Sequence, residues 1–260
     1  MKAWQRFTPF QTGLRLLGRL AAVAAVVWAL TGMGIRWEFV LDSPAQVGDL
    51  FGRMFPPDWG FAGAIVDPLI QTINIATLGT ALAVLLSIPI AFLAARNTTF
   101  HWSTFALGRF VMTVSRSVDS LIWALIFIMV VGPGSLAGAL AIAVRSIGFV
   151  SKLFAEGIEE IDRGQVEAIV ATGAGRFTVL VYGIVPQIRP VFAGVTIYRW
   201  DINIRESTVL GIVGAGGIGF VLNTAILGLE WSRVGLILVV VLAVVIVSEA
   251  SSAYLRKRVT

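Results

Sequence analysis

The chain contains no cysteine, and His101 is its only histidine. The first absence excludes disulfides, zinc–thiolate sites, iron–sulfur clusters and thiol catalysis. The lone histidine lies in "NTTFHWST", a stretch suited to a loop or a membrane interface. No G-x-x-x-x-G-K-[ST] run occurs, so the sequence offers no P-loop for nucleotide phosphates. Charge is scarce as well. Only 13% of the residues are charged and 57% are hydrophobic, whereas a soluble domain usually carries about 25% charged residues. With a mean hydropathy of +0.87, a soluble fold would lack the polar surface to cover its apolar material. Lipid is the fitting solvent, and the chain reads as an integral membrane protein.

What is present is a series of apolar runs long enough to cross a bilayer. Six are expected: Leu14 or Leu20 to Gly34, Asp67 to Ala95, a third around Ser117 to Val131, Ser135 to Val150 after the break at Gly132–Gly134, a weaker fifth over Pro186 to Trp200, and Val234 to Ser251. The formal charge of +5 could signal nucleic acid or cytoplasmic retention of cationic loops. Its distribution favours loops. With a cytoplasmic N-terminus, 15 of the 20 basic residues fall inside, among them Arg15, Arg96, Arg109, Arg116, Arg145, Lys152, Arg163, Arg176, Arg189 and Arg256 to Arg258. Arg36, Arg53, Arg199, Arg205 and Arg233 fall outside or in outer halves of spans. This asymmetry implies both termini in the cytoplasm and no nucleic-acid partner. The basic N-terminal region followed by an apolar run also describes a signal peptide, but no A-x-A site follows it, which favours an uncleaved anchor. No repeat or linker divides the chain. One membrane domain over 1–260 is expected, with a cytoplasmic tail over 1–13, a polar outer loop over 35–66, a cytoplasmic loop over 151–185 and a Gly-rich outer or re-entrant segment over 206–231.

The loop over 151–185 is charged and helix-forming, then reaches "EAIVATGAG". This pattern predicts a short helix, a turn, and a second helix entering the membrane near Pro186, where a proline at a helix start loses no hydrogen bond. Gly173 and Gly175 are expected to supply positive φ. Ala168 and Ala171 share a helix face and allow close approach. The segment is either a docking element or an ordinary solvated loop.

"GIVGAGGIGF" holds Gly214, Gly216 and Gly219 as G-x-G-x-x-G, with Gly217 between them. A dinucleotide site would need a strand before it, a helix after it and an acidic residue about 20 positions on. Glu230 lies eleven past Gly219, too early, and no βαβ unit fits between the flanking spans. The glycines are instead expected to gate or pack a pathway, since irregular backbone at membrane depth is tolerated only where protein or a watery path covers it. Arg199, Asp201, Arg205 and Glu206 are expected at the outer end of the fifth span. They either pair among themselves, or Arg205 with Arg199 lends a positive field to a passing anion. Asn203, Ser207, Thr208 and, on the second span, Gln71, Thr72 and Asn74 are further candidates for the pathway, or else polar glue between helices. Gln71 and Asn74 are expected on one face. No catalytic residue and no metal site is expected.

On these residues the chain resembles the permeases of ABC-type importers. Their cytoplasmic signature is E-A-A, three residues, G, nine residues, I-x-L-P. Glu167, Ala168, Gly173 and Pro186 match it in type and spacing. Ile169, Gly183 and Val185 depart from it, and Gly183 is expected to loosen the second helix. "YRWDINIRESTVLGIVGAGGIG", "YGIVPQIRP", "FPPD" and "SKL" further resemble the phosphonate-importer permeases over most of residues 55–255, although methionine-type importers also carry a V-G-A-G-G element. The resemblance implies an all-α, polytopic permease fold of the methionine/phosphonate type in a bacterial inner membrane. It implies a second permease copy, two separate ATPases holding ATP and Mg, and an extracytoplasmic binding protein. Glu167, Ala168, Ala171, Gly173, Gly175 and Pro186 would couple to the ATPase. The cargo would be phosphonate or a related phosphorus oxyanion. An amino-acid permease, an ATP-independent transporter or channel, and a membrane enzyme remain as alternatives.

Overall fold

The computed structural model describes residues 9–99 and 101–259. The chain divides into two compact units, Met1–Gly52 and Arg53–Thr260. In the first, the apolar helix α1 (Pro9–Gly32) is followed by a turn with Gly34 at φ +60° and by α2 (Trp37–Met54), which ends two residues into the second unit. Of the expected cytoplasmic tail, residues 1–8, with Lys2 and Arg6, lie outside the described residues, and 9–13 are helical. The polar outer loop over 35–66 is corrected. It is helical over Trp37–Met54 and a 3₁₀ turn over Trp59–Ile65. Val40, Val47, Phe51 and Met54 recur on one face at helical spacing, opposite Glu38, Asp42 and Asp49. That amphipathic period accommodates Pro44 inside the helix.

The second unit is built on α3 (Val66–Ala94), α4 (Trp102–Ser117), α5 (Ser120–Val131) and α6 (Ser135–Glu159). The short helices α7 (Arg163–Ala171) and α8 (Arg176–Val179) follow. A π turn over Leu180–Ile184 leads into α9 (Val185–Ile212), and α10 (Ile218–Leu227) and α11 (Trp231–Val259) complete the chain. Among the described residues, five helical segments are long and apolar enough to cross a membrane, and the α4–α5 pair, bent by 91°, is apolar enough to be a broken sixth span or a re-entrant loop. The all-α expectation therefore holds, with six spans where the bent pair counts as one, and with three corrections to its detail. The third span is a broken pair, because Asp119 caps a new helix by accepting the Leu121 N–H at 3.0 Å. The fourth helix runs on to Glu159, so the cytoplasmic loop begins nine residues later than expected. The fifth runs on to Ile212, so the irregular part of the Gly-rich segment shrinks to 213–217 and the short turn 228–230.

α6 packs against α3, α4, α5 and α9. Hydrocarbon gives apolar helices little reason to associate, so contact must come from close van der Waals fit. α6 buries Ala137, Gly138, Ala141, Ala143, Ser146, Gly148, Ser151, Ala155 and Gly157, which lets its neighbours approach. A Cβ on Gly79 of α3 would lie 2.6 Å from Ile142 Cγ2, and one on Gly157 would lie 2.8 Å from Val191 Cγ1. Larger side chains fill what remains. Phe154 stacks on Phe192 with ring centroids 3.7 Å apart, beside Val150, Ile158 and Ile188.

The tightest crossing is that of α9 with α10. A Cβ on Gly211 would lie 2.6 Å from the Gly216 carbonyl oxygen and 2.7 Å from the backbone of Gly219 and Phe220. Only backbone surrounds it, and backbone yields poorly. Gly211→Ala should therefore cost about 1–3 kcal/mol and lower the melting temperature of the purified protein. Gly48→Ala, where a Cβ meets nothing within 4 Å among the described residues, should leave it unchanged or raise it, and equal melting of both variants would contradict the packing.

Candidate functional site

At one end of the second unit, α7 forms a short helix capped by Asp162, which accepts the Gly164 N–H at 2.8 Å. Val166 and Ile169 turn inward, and a Cβ on the buried Gly183 would lie 3.4 Å from Ile169 Cδ1. Glu167, Ala168 and Ala171 are exposed, as are Val170 and Phe177. Gly173 ends the helix at φ +78°. Gly175 does not take positive φ. It precedes α8 at φ −68°, ψ 161°, an extended conformation open to any residue. Pro186 is in the first turn of α9, but the chain arrives there through the π turn instead of a free helix start. The wider π turn relieves the clash and the missing N–H that a proline imposes on the preceding turn. Gln187 then clasps α7 to α9: its Oε1 accepts the Asp162 N–H at 2.8 Å, and its Nε2 donates to the Gly183 carbonyl at 2.7 Å.

In the glycine segment, α9 precedes and α10 follows, which is not the strand–turn–helix context of a dinucleotide site. Gly214, Gly216 and Gly217 take φ of +93°, +81° and +77°. Gly219 is helical, and a Cβ there would overlap the Thr208 carbonyl. The freed backbone groups are met from other helices. The Gly217 N–H donates to Gln71 Oε1 at 2.7 Å, the Ile218 N–H to Thr72 Oγ1 at 2.8 Å, and the Gly134 N–H to the Gly214 carbonyl at 3.1 Å. Gln71 is thus tied to the turn while Asn74 is exposed on α3, so the two do not form the single polar face expected of them. Ser207 is buried and donates to the carbonyls of Thr72 and Ile204, and Thr208 donates to Ile204.

The charged residues fall in the second half of the 28-residue α9, within the helix and not at its outer end. Arg199, 5% exposed, donates from Nη2 to Glu206 at 3.1 Å and from Nε to Ser146 Oγ at 2.9 Å. Ser146 donates to Asn203 Oδ1, and Asn203 Nδ2 donates to Thr80 Oγ1 at 2.8 Å. On the other side of α9, Arg205 pairs with Asp201, which also accepts from Ser248 Oγ at 2.7 Å. Arg145 completes the set, 3.8 Å from Glu206 and 3.2 Å from Asp119 at the α4–α5 bend. Three arginines thus face three carboxylates. Arg145 had been counted among the inner loop residues, but it lies in the interior of α6. The signal that would have found it is its position inside an apolar run, where a charge normally serves a partner or a pathway. Of the two arginines in this charge set on α9, Arg205 keeps the more exposed side chain, 46% against 6% for Arg199.

An exposed surface helix clasped to a long span, glycine turns sealed by neighbouring helices and a balanced, partly buried charge set are the parts of a transport subunit. The chain belongs to the family of binding-protein-dependent transport system inner membrane components, whose pattern matches residues 87–260. It is 42% identical over 247 residues to the phosphite transport system permease protein PtxC of Stutzerimonas stutzeri, covering 94% of this chain and 89% of that one. It is 41% identical over 218 residues to the phosphate-import permease protein PhnE of Mycolicibacterium smegmatis, covering 84% of this chain and 41% of that relative. In three dimensions it superimposes on a chain of the MetNI methionine ABC transporter, solved in inward-facing conformations, with a TM-score of 0.67 at 17% identity, over 78% of this chain and 99% of that one.

Removing one partner of a buried ion pair leaves an uncompensated charge, at a cost of about 3–5 kcal/mol. Glu206→Gln should destabilise the protein by that order in detergent melts. Arg199→Met combined with Glu206→Leu should recover most of the loss. If the double variant melts no higher than Glu206→Gln alone, the coupling between the two side chains is absent.

Proposed function

We propose that this chain is the membrane-spanning permease subunit of an ATP-driven importer for phosphite, phosphate or a phosphonate in a bacterial inner membrane, with both termini cytoplasmic. The observation that carries the coupled reading is α7. It exposes Glu167, Ala168, Ala171 and Val170 and is joined to α9 through Gln187, so a body docked on α7 moves a span. That body is a separate ATPase with its own ATP and Mg. An extracytoplasmic binding protein brings the cargo, and a second permease copy completes the pathway. The chain itself performs no chemistry. Closure of the ATPases draws the coupling helices together and exposes the pathway to each side in turn.

The substrate class is carried over from the phosphite and phosphate relatives, and Arg205 supports it. A guanidinium fork suits the oxygens of a tetrahedral oxyanion, and its pairing with Asp201 keeps the site too weak to trap a cargo that must leave again. An organic solute such as methionine is the second reading, favoured by the shared fold and the shared V-G-A-G-G element.

Two measurements test the proposal. Deleting Glu167–Gly173 should abolish co-purification of the ATPase while the spans still insert, and an intact complex would refute the docking role. In vesicles holding the full transporter, uptake of labelled phosphite should be competed by phosphate or phosphonate and not by methionine. Competition by methionine alone would refute the substrate class.

A further inference from the structure

At the end of the unit that carries α7, a cavity of about 150 Å³ opens between α4 and α6. Ala94, Met112 and Ala155 form its floor, and Arg109, Thr113, Arg116, Lys152, Glu156 and Glu159 form its walls. The space equals about five waters at roughly 30 Å³ each, enough for a tetrahedral anion of five heavy atoms. The cavity is preformed. Ser115 on α4 donates to the Val144 carbonyl and accepts the Gly148 N–H at 2.9 Å, which fixes α4 on α6. Gly148 has a second use, because a Cβ there would lie 2.6 Å from Arg116 Cγ. The glycine thus makes room for the Arg116 stem to lie across α6 at the cavity.

The charges do not balance as they do around Arg199. Lys152 pairs with Glu156 at 3.3 Å, and Arg109 stands 3.9 Å from Glu159, at the limit of a pair. Arg116 has no ion pair among the described residues. Glu159 also accepts the Arg96 N–H at 2.9 Å, so it keeps a partner when Arg109 turns away. A vacant guanidinium, a second one loosely held and an ammonium within reach converge on a space of anion size. Basic pockets between spans near the membrane surface are sites for phosphate-bearing head groups.

We infer that this cavity is a phosphate-type anion site, distinct from the transport pathway, in which Arg116 and Arg109 hold a tetrahedral phosphoryl group with Lys152 in support. The same chemistry serves the head group of an anionic phospholipid or free inorganic phosphate. Two N–H groups of each guanidinium donate to phosphoryl oxygens, and Arg109 exchanges Glu159 for the ligand. No bond forms or breaks covalently. The inference does not depend on which solute the transporter carries.

The test uses the permease–ATPase complex in nanodiscs of phosphatidylcholine, with cardiolipin or inorganic phosphate as the probe. Retained cardiolipin is read by native mass spectrometry, and phosphate by equilibrium binding. The R109Q/R116Q variant should bind the responsible probe about tenfold more weakly or worse, as expected for lost charge-assisted bonds. R258Q, which removes a charge at the far end of α11, should bind as the unaltered complex does. Loss of cardiolipin alone identifies the lipid as the ligand, and loss of phosphate alone identifies the free anion. If the double variant binds both probes as well as the unaltered complex does, or if neither probe binds the unaltered complex, the inference is overturned. Tryptophan fluorescence melts of both variants separate a lost site from a lost fold.

Discussion

Everything in the second unit depends on how closely other backbones come to α6. Apolar side chains gain little by leaving lipid for protein, so the helices are held by fit and by hydrogen bonds. A stripe of alanine, glycine and serine gives that fit. It brings the Ser146 hydroxyl to Arg199, the Gly148 N–H to Ser115, and Ile142 onto Gly79. A bulkier α6 would push α3, α4 and α9 outward together, and the polar groups now satisfied between them would face hydrocarbon at a cost of several kcal/mol each.

The same constraint explains why the irregular stretches lie where they do. The breaks at Gly132–Gly134 and at 213–217 meet each other through the Gly134 N–H and the Gly214 carbonyl, and α3 supplies Gln71 and Thr72 to the second break. Neither break would be tolerated alone at membrane depth. The charges follow a parallel logic. Around Arg199, every cation has a carboxylate within reach, which is how a bundle keeps ionised groups out of contact with lipid.

Much of this was legible from residues alone. Runs such as Val234 to Ser251 announce a span by composition, and the Glu167, Gly173 and Pro186 spacing announces a short helix, a turn and the start of a long helix because each demands a residue type. What stayed hidden depends on neighbours and not on periodicity. Gln71 and Asn74 share a helix face by arithmetic, yet one side chain meets the Gly217 backbone and the other meets none of it. Arg145 reads as a retained loop charge until α5 and α9 place Asp119 and Glu206 beside it. The bend at Val118–Asp119 has no proline or glycine to announce it. The helicity of α2 was hidden behind its polar composition, although its apolar period was in plain view.

The clasp made by Gln187 has a mechanical consequence. From Val185 to Ile212 the helix is continuous, so the twelve steps of rise from Gln187 to Arg199 make a rod of about 18 Å at 1.5 Å per residue. A load applied at the surface reaches the interior along that rod, and a few degrees of tilt at its foot become about an ångström of sideways travel at its far end. That displacement is comparable to the difference between the 3.1 Å bridge of Arg199 to Glu206 and the 3.8 Å approach of Arg145 to the same carboxylate. Arg199 and Glu206 ride on the same helix, so a load on α7 would leave their bridge intact and change the approach of Glu206 to Arg145 of α6.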